Sequence, residues 1–341
     1  MTHEFKSILL HFIEAKKTGI NAVLASLVYL EGSSYRKPGV RMLLLENGTM
    51  VGAISGGCVE KEIQRQSLSV FKSGTSKLMI YDGRYRLGCE GKLFILLEFF
   101  NPSQGTITQF NNSVAKRTSF NIHSFFNLNE GEQLTSGSKI TFDSENWKYL
   151  NSEKKLIDEN FNVFKQEFSP SFRLVIIGSE HDAVILTQLA TFIGWEVVII
   201  TSALNNQTLK DFPGAIDLIQ TKPNLLKLDW VNKQTAIMLM THSYAKDFEY
   251  LLALKNLKPC YIGVLGPKDR REKLLNNFIE NYPDISEQFL NNIYGPAGLN
   301  IGSETAQEIA LSICAEILAI TRKRVPDFLK NRKISIHSNE S

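Results

Sequence analysis

The chain has 341 residues, 43% of them hydrophobic and 21% charged, which fits a globular protein of about two domains with cores of ordinary size. A net charge of +3 is too small to imply a nucleic-acid partner, and the basic stretch from Arg322 to Lys333 reads as a solvated end. Cys58, Cys89, Cys260 and Cys314 form no C-x-x-C pair, so neither a disulfide framework nor a zinc ribbon is indicated. Glu4 and Glu14 interrupt any signal-peptide core. No apolar run is long enough for a bilayer, and the cytoplasm is the expected compartment.

Phe5, Ile8, Leu9, Phe12 and Ile13 mark one face of an amphipathic helix that ends near Gly19. Asn21–Leu30 follows as an apolar strand. Glu31–Gly39 is a polar, basic loop rich in turn formers, with Arg36 and Lys37 as candidate cations. Arg41–Leu45 is the next strand, and Asn47-Gly48 takes the positive φ of a tight hairpin leading into Thr49–Val51.

The stretch Ser55-Gly56-Gly57-Cys58-Val59-Glu60 then joins that strand to a helix marked by Val59, Ile63 and Leu68. Two glycines let a backbone approach a ligand and aim its N–H groups outward. A new helix start favours an anion there and the thiolate form of a nearby cysteine. Ser55, Gly56, Gly57 and Cys58 are therefore candidates for holding an anionic group beside a soft sulfur. A lone cysteine in a glycine-rich turn is otherwise a packing residue.

Lys77–Tyr81 and Lys92–Phe100 read as two further strands, the second apolar enough to be central. Between them lies a second glycine-bracketed cysteine, Cys89. No histidine occurs between His11 and His123, so a metal held by these cysteines and a nearby histidine has little support. Residues 101–170 are rich in Asn, Ser and Thr, with short alternating pieces at Ser119–Phe126 and Lys139–Phe142. They read as a β-rich extension or linker.

From Phe172 the pattern becomes α/β. Strand cores at Arg173–Ile177, Trp195–Thr201, Thr235–Met240 and Cys260–Leu265 alternate with helical pieces, the first running through Ile185, Leu189 and Phe192. This is the rhythm of a doubly wound parallel sheet. A capping box at Thr305 and Glu308 opens a last helix along Ile309, Ile313, Ile317 and Ile320. The expected fold is thus α/β: a mixed N-terminal domain over 1–100, the extension over 101–170, a Rossmann-like domain over 171–325 and a polar tail over 326–341.

A dinucleotide fingerprint needs G-x-G-x-x-G and an acid after the second strand. Here the turn is Gly178-Ser179-Glu180-His181-Asp182-Ala183, and Thr201-Ser202 closes the second strand without an acid. Glu180 stands where the backbone must meet a pyrophosphate, so NAD(P) binding in the usual pose is not expected. His181 and His242 each follow the carboxyl end of a strand, where open α/β sheets place ligands.

Gly39-Val40-Arg41-Met42, Ser55-Gly56-Gly57-Cys58-Val59-Glu60, Leu87-Gly88-Cys89 and Gly298-Leu299-Asn300-Ile301-Gly302-Ser303-Glu304-Thr305 together resemble the xanthine dehydrogenase accessory factor (XdhC/CoxI) family. Met240-Thr241-His242 and Tyr261–Gly266 fit its C-terminal domain. The resemblance implies a carrier for molybdenum cofactor (molybdopterin) that supports sulfuration by a sulfurtransferase and delivery to a molybdenum hydroxylase apoenzyme. It also implies a homodimer. By position, Cys58 and its glycines match the family's most recognisable motif and Cys89 its second cysteine. Cys58 is then the soft ligand for the metal or its sulfur, and Arg36, Lys37 and Arg41 add charge for the phosphate. The competing readings are an NAD(P)-dependent oxidoreductase with His242 as acid or base, and a regulatory module that binds another nucleotide.

Overall fold

The computed structural model describes residues 1–331 apart from 33, 35, 84–90, 144 and 155. Two compact units result, Met1–Pro170 with Phe328–Ser341, and Ser171–Asp327.

The first unit starts with α1 (Thr2–Lys17), β1 (Ala22–Glu31), β2 (Arg41–Leu45), β3 (Met50–Val51), α2 (Cys58–Ser73), β4 (Ser76–Asp82) and β5 (Lys92–Phe99). It continues through α3 (Gln104–Lys116), β6 (Phe120–Phe126), β7 (Gly131–Gln133), β8 (Gly137–Thr141), β9 (Lys148–Tyr149) and β10 (Asn162–Phe168). Among the described residues these strands form a six-stranded sheet, ordered β3-β2-β1-β5-β4-β7, and a four-stranded sheet, ordered β10-β6-β8-β9.

Side chains alternate across the first sheet, so each face gathers its own core. Val23, Ala25, Leu27, Met42, Ile95 and Leu97 meet Val59, Ile63 and Val70 of α2. On the other face Leu24, Leu43 and Leu45 join Phe5 and Phe12 of α1, Phe110 of α3, and Phe120 and Phe168 of the second sheet. Phe120 and Phe168 stack with their ring centroids 4.6 Å apart. The face of α2 differs from the expected one: Leu68 is 66% exposed, whereas Ser67 and Val70 are buried. Spacing of four, four and three residues from Val59 keeps a straight helix on the sheet, and Leu68 falls outside that stripe.

The second unit contains β11 (Arg173–Ile177), α4 (His181–Phe192), β12 (Glu196–Thr201), β13 (Asp217–Gln220), β14 (Thr235–Leu239), α5 (Tyr244–Leu254), β15 (Tyr261–Val264), α6 (Lys268–Asn281), α7 (Glu287–Asn291), β16 (Ile293–Tyr294) and α8 (Ala306–Thr321). Its strands pair in parallel in the order β13-β12-β11-β14-β15-β16. This is the Rossmann order, and its switch point lies between β11 and β14. Leu174, Ile176 and Val197 face α4 and α8, while Val175, Ile177, Ile237 and Leu239 face α5 and α6. The capping box at α8 forms: Thr305 Oγ1 accepts from the Glu308 N–H, and the Glu308 carboxylate accepts from the Thr305 N–H. Phe192 is 87% exposed rather than part of the expected apolar face. α4 is apolar on most sides because α8 covers it as well as the sheet, so periodicity alone selects the wrong stripe.

Candidate functional site

The strand directions place the sequence motifs. β1 is antiparallel to β2 and β5, β2 to β3, and β5 to β4. The carboxyl ends of β1, β3 and β4 and the amino ends of β2 and β5 therefore lie at one end of the sheet. The basic loop 32–40 and the glycine turn 52–57 leave the sheet there, and Gly83 and Gly91, which follow β4 and precede β5, lie there too. Lys92 Nζ lies 3.6 Å from Glu31 Oε2, and the Gly83 N–H donates to Gly91 O at 3.0 Å. Cys89, the second cysteine of the motif set, lies outside the described residues.

Cys58 is the first residue of α2 and is an exposed free cysteine. The turn before it does not leave its donors open, as the sequence reading expects. The Ile54 and Ser55 N–H groups donate to Glu60 Oε1 at 3.0 and 2.7 Å, and the Gly56 N–H donates to Oε2 at 3.1 Å. The Gly57 N–H also donates to Oε2. A phosphate thus has no free claim on Ser55, Gly56 and Gly57. The missed residue, Glu60, carries a readable signal: a carboxylate three residues after the residue before a helix is one half of a capping box.

Burial opposes charge on Glu60, but hydrogen bonds from Ser55, Gly57, Glu60 itself and Gly56 outweigh it and hold the carboxyl below its usual range. A lowered folded value means that its stabilising contribution is complete above the usual glutamate value of about 4.3 and is lost as pH falls through the lowered one. Glu60→Gln is expected to lose this part of the acid-side slope when urea unfolding is followed downward from mildly acidic pH. An unchanged slope would refute the assignment.

Arg41 stands at the site end of β2, but its side chain takes the face opposite α2. That side chain is buried on the α1 face, where Nη1 donates to Gly39 O at 3.1 Å and to Gln166 Oε1. Its guanidinium lies 5.4 Å from the Phe168 ring centroid. Burial lowers its pKa to about 10 while Glu98 pulls it up, so it stays protonated at neutral pH. The sheet separates it from α2, and its charge serves the interior. Arg36 is half-buried on the loop at the site end, its N–H directed to Ser34 Oγ at 3.4 Å. Lys37 is exposed on the same loop.

In the second unit, adjacent β11 and β14 bring the turns bearing His181 and His242 side by side. His181 opens α4 and is exposed. His242 has φ +55°, and its Nε2 lies 3.7 Å from Asp182 Oδ2. The neighbouring Thr241 Oγ1 donates to buried Asp247, which also accepts from Arg270 Nη2. Glu180 is exposed at the N-cap of α4 and its side chain caps nothing.

A strap crosses the dinucleotide path at the end of β12. Asn205 Nδ2 donates to Ser179 Oγ at 2.8 Å and Gln207 Nε2 donates to Ser179 O at 3.0 Å. The adenosine half of a dinucleotide would need this ground, and Glu180 would repel the pyrophosphate. Calorimetry with NAD and NADP is expected to find no micromolar affinity. Glu180→Gly combined with Asn205→Ala is expected to raise affinity, since a helix terminus still offers an anion about 0.3–1 kcal/mol. Micromolar binding by the native chain would contradict this account.

Comparison with known proteins agrees with these two units. Residues 174–317 match the XdhC Rossmann domain, and residues 15–82 match the XdhC and CoxI family. The chain is 31% identical over 333 residues to a protein of Bacillus subtilis (strain 168) named as a probable xanthine dehydrogenase subunit, covering 89% of this chain and 94% of that protein. It is 24% identical over 326 residues to the molybdenum cofactor insertion chaperone PaoD of Escherichia coli (strain K12), covering 94% and 90%. A crystal structure described as a xanthine dehydrogenase from Bacillus halodurans superposes with a TM-score of 0.77 at 26% identity, covering 93% of this chain and 96% of that one. Among the described residues no helix is long and apolar enough to cross a membrane. Motif order, fold and full-length similarity agree: the chain belongs to the XdhC and CoxI family.

Proposed function

We propose that this protein carries molybdenum cofactor, supports its sulfuration, and passes it to a molybdenum hydroxylase of the xanthine dehydrogenase type. The observation that carries this reading is the exposed Cys58 thiol at the sheet end where the basic loop 32–40 joins β1 to β2. A soft thiolate suits molybdenum or its sulfur. Arg36 and Lys37 on the neighbouring loop suit the cofactor's phosphate, which the glycine turn itself cannot take. A relative matched over nearly its whole length is named a molybdenum cofactor insertion chaperone, which supports the direction of transfer.

On this reading the protein is a carrier without turnover. Its partners are the hydroxylase apoenzyme, a sulfurtransferase and a second copy of itself. Protein purified from cells with an active cofactor pathway is expected to contain molybdenum and pterin in similar amounts. Folded protein with neither, from cells whose hydroxylases are loaded, would overturn the reading.

A further inference from the structure

Gly56 and Gly57 have φ +150° and +130°, and a Cβ on either would meet nothing within 4 Å. They are therefore not there to admit a crowded neighbour. Their conformations aim four successive N–H groups, from Ile54 to Gly57, at one centre. Such a cluster of backbone donors at the start of a long helix is the set a phosphate or sulfate takes. Here each oxygen of one carboxylate takes two of them. Glu60 belongs to α2 itself and is 8% exposed, so the occupant is tethered to the helix it caps.

We propose that Glu60 determines specificity at the Cys58 end of the sheet. Its carboxylate fills the anion position of the turn, which therefore refuses a ligand's phosphate and offers the thiol to a soft metal–sulfur group. Only the identity of that soft group rests on the proposed function. The occupied anion position is a property of the chain alone. An incoming phosphate must displace a carboxylate already held at high effective concentration, or sit beside it against like charge. Either way the two ends of a cofactor are sorted: sulfur and metal toward Cys58, phosphate toward another part of the site.

The test needs no cofactor. Alkylation of Cys58 by iodoacetamide is followed by peptide mapping at rising millimolar inorganic phosphate. Burial pushes the Cys260 and Cys314 thiols up to about 11 and about 12, so neither competes, and mapping separates Cys89. In the native chain the rate is expected not to change with phosphate. In Glu60→Ala it is expected to fall about threefold or more as phosphate saturates the freed donors, with sulfate acting alike. Glu60→Gln keeps the bulk and withdraws one acceptor oxygen, so it gives a smaller response and serves if the alanine variant fails to fold.

Phosphate slowing the native chain as strongly as the variants would overturn the proposal. So would two folded variants that ignore phosphate. A phosphate response confined to the variants upholds it, even in a chain that never carries molybdenum. Absence of molybdenum and pterin from the purified chain would sink the cofactor reading and leave this one standing.

Discussion

Replacing Cys58 by serine is expected to lower retention of molybdenum cofactor at least about tenfold, a difference of about 1.4 kcal/mol in binding. The substitution keeps the size of the side chain and exchanges a polarisable sulfur for a hard oxygen that stays protonated at neutral pH. Cys58 is exposed at the first position of α2, where serine is compatible with a helix start. Stability should therefore move by no more than about 0.5 kcal/mol. Metal and pterin analysis of both proteins, purified side by side from cells with an active cofactor pathway, provides the readout. Equal loading at equal thermal stability would remove Cys58 from the site.

Gly178→Ala is expected to destabilise the second unit by about 2–6 kcal/mol. A Cβ at Gly178 would lie 2.3 Å from Met240 O and 2.7 Å from Met240 C, and φ there is +147°. The obstacle is backbone, which cannot rotate away as a side chain can. Overpacking costs about 1–3 kcal/mol, and an L-residue held at this φ adds about 1–3 kcal/mol more. For a unit of this size each kcal/mol shifts the melting point by about 2–4 °C. The melting point of the second unit should therefore fall by about 4 °C or more, with hydrogen exchange accelerating first at β11 and β14. A shift of less than a degree would mean that the two strand ends part easily.

The parallel sheet was legible because its buried strands, such as Arg173–Ile177, are continuous apolar runs punctuated by glycines. The junction of strand and helix at Cys58 was legible for a similar reason, since a hairpin signal and a helical period meet there. What escaped was set by partners far away in the chain. Arg41 reads as a solvent-side cation at a strand start, yet Gln166 and Phe168 from β10 enclose it. No local pattern announces a contact across 125 residues. Glu60 escaped differently: its spacing from Gly57 was visible, but an acid at a helix start also reads as a charge complementing the helix dipole. Its possession of four backbone donors depends on the path of the glycine turn. Leu68 and Phe192 show the limit of periodicity where helices are covered by more than one layer or where small polar residues fill the buried stripe.

The sheet that gathers loop 32–40 and the glycine turn at one end sends the hairpin turn 46–49 to the other, across the five residues of β2. That span is about 17 Å of extended backbone. Glu46 and Asn47 are exposed there. A fluorophore or surface tether fixed at this turn would hold the molecule with Cys58 facing the solution, so the proposed transfer to a client protein can be timed on immobilised protein without modifying Cys58, Arg36 or Lys37.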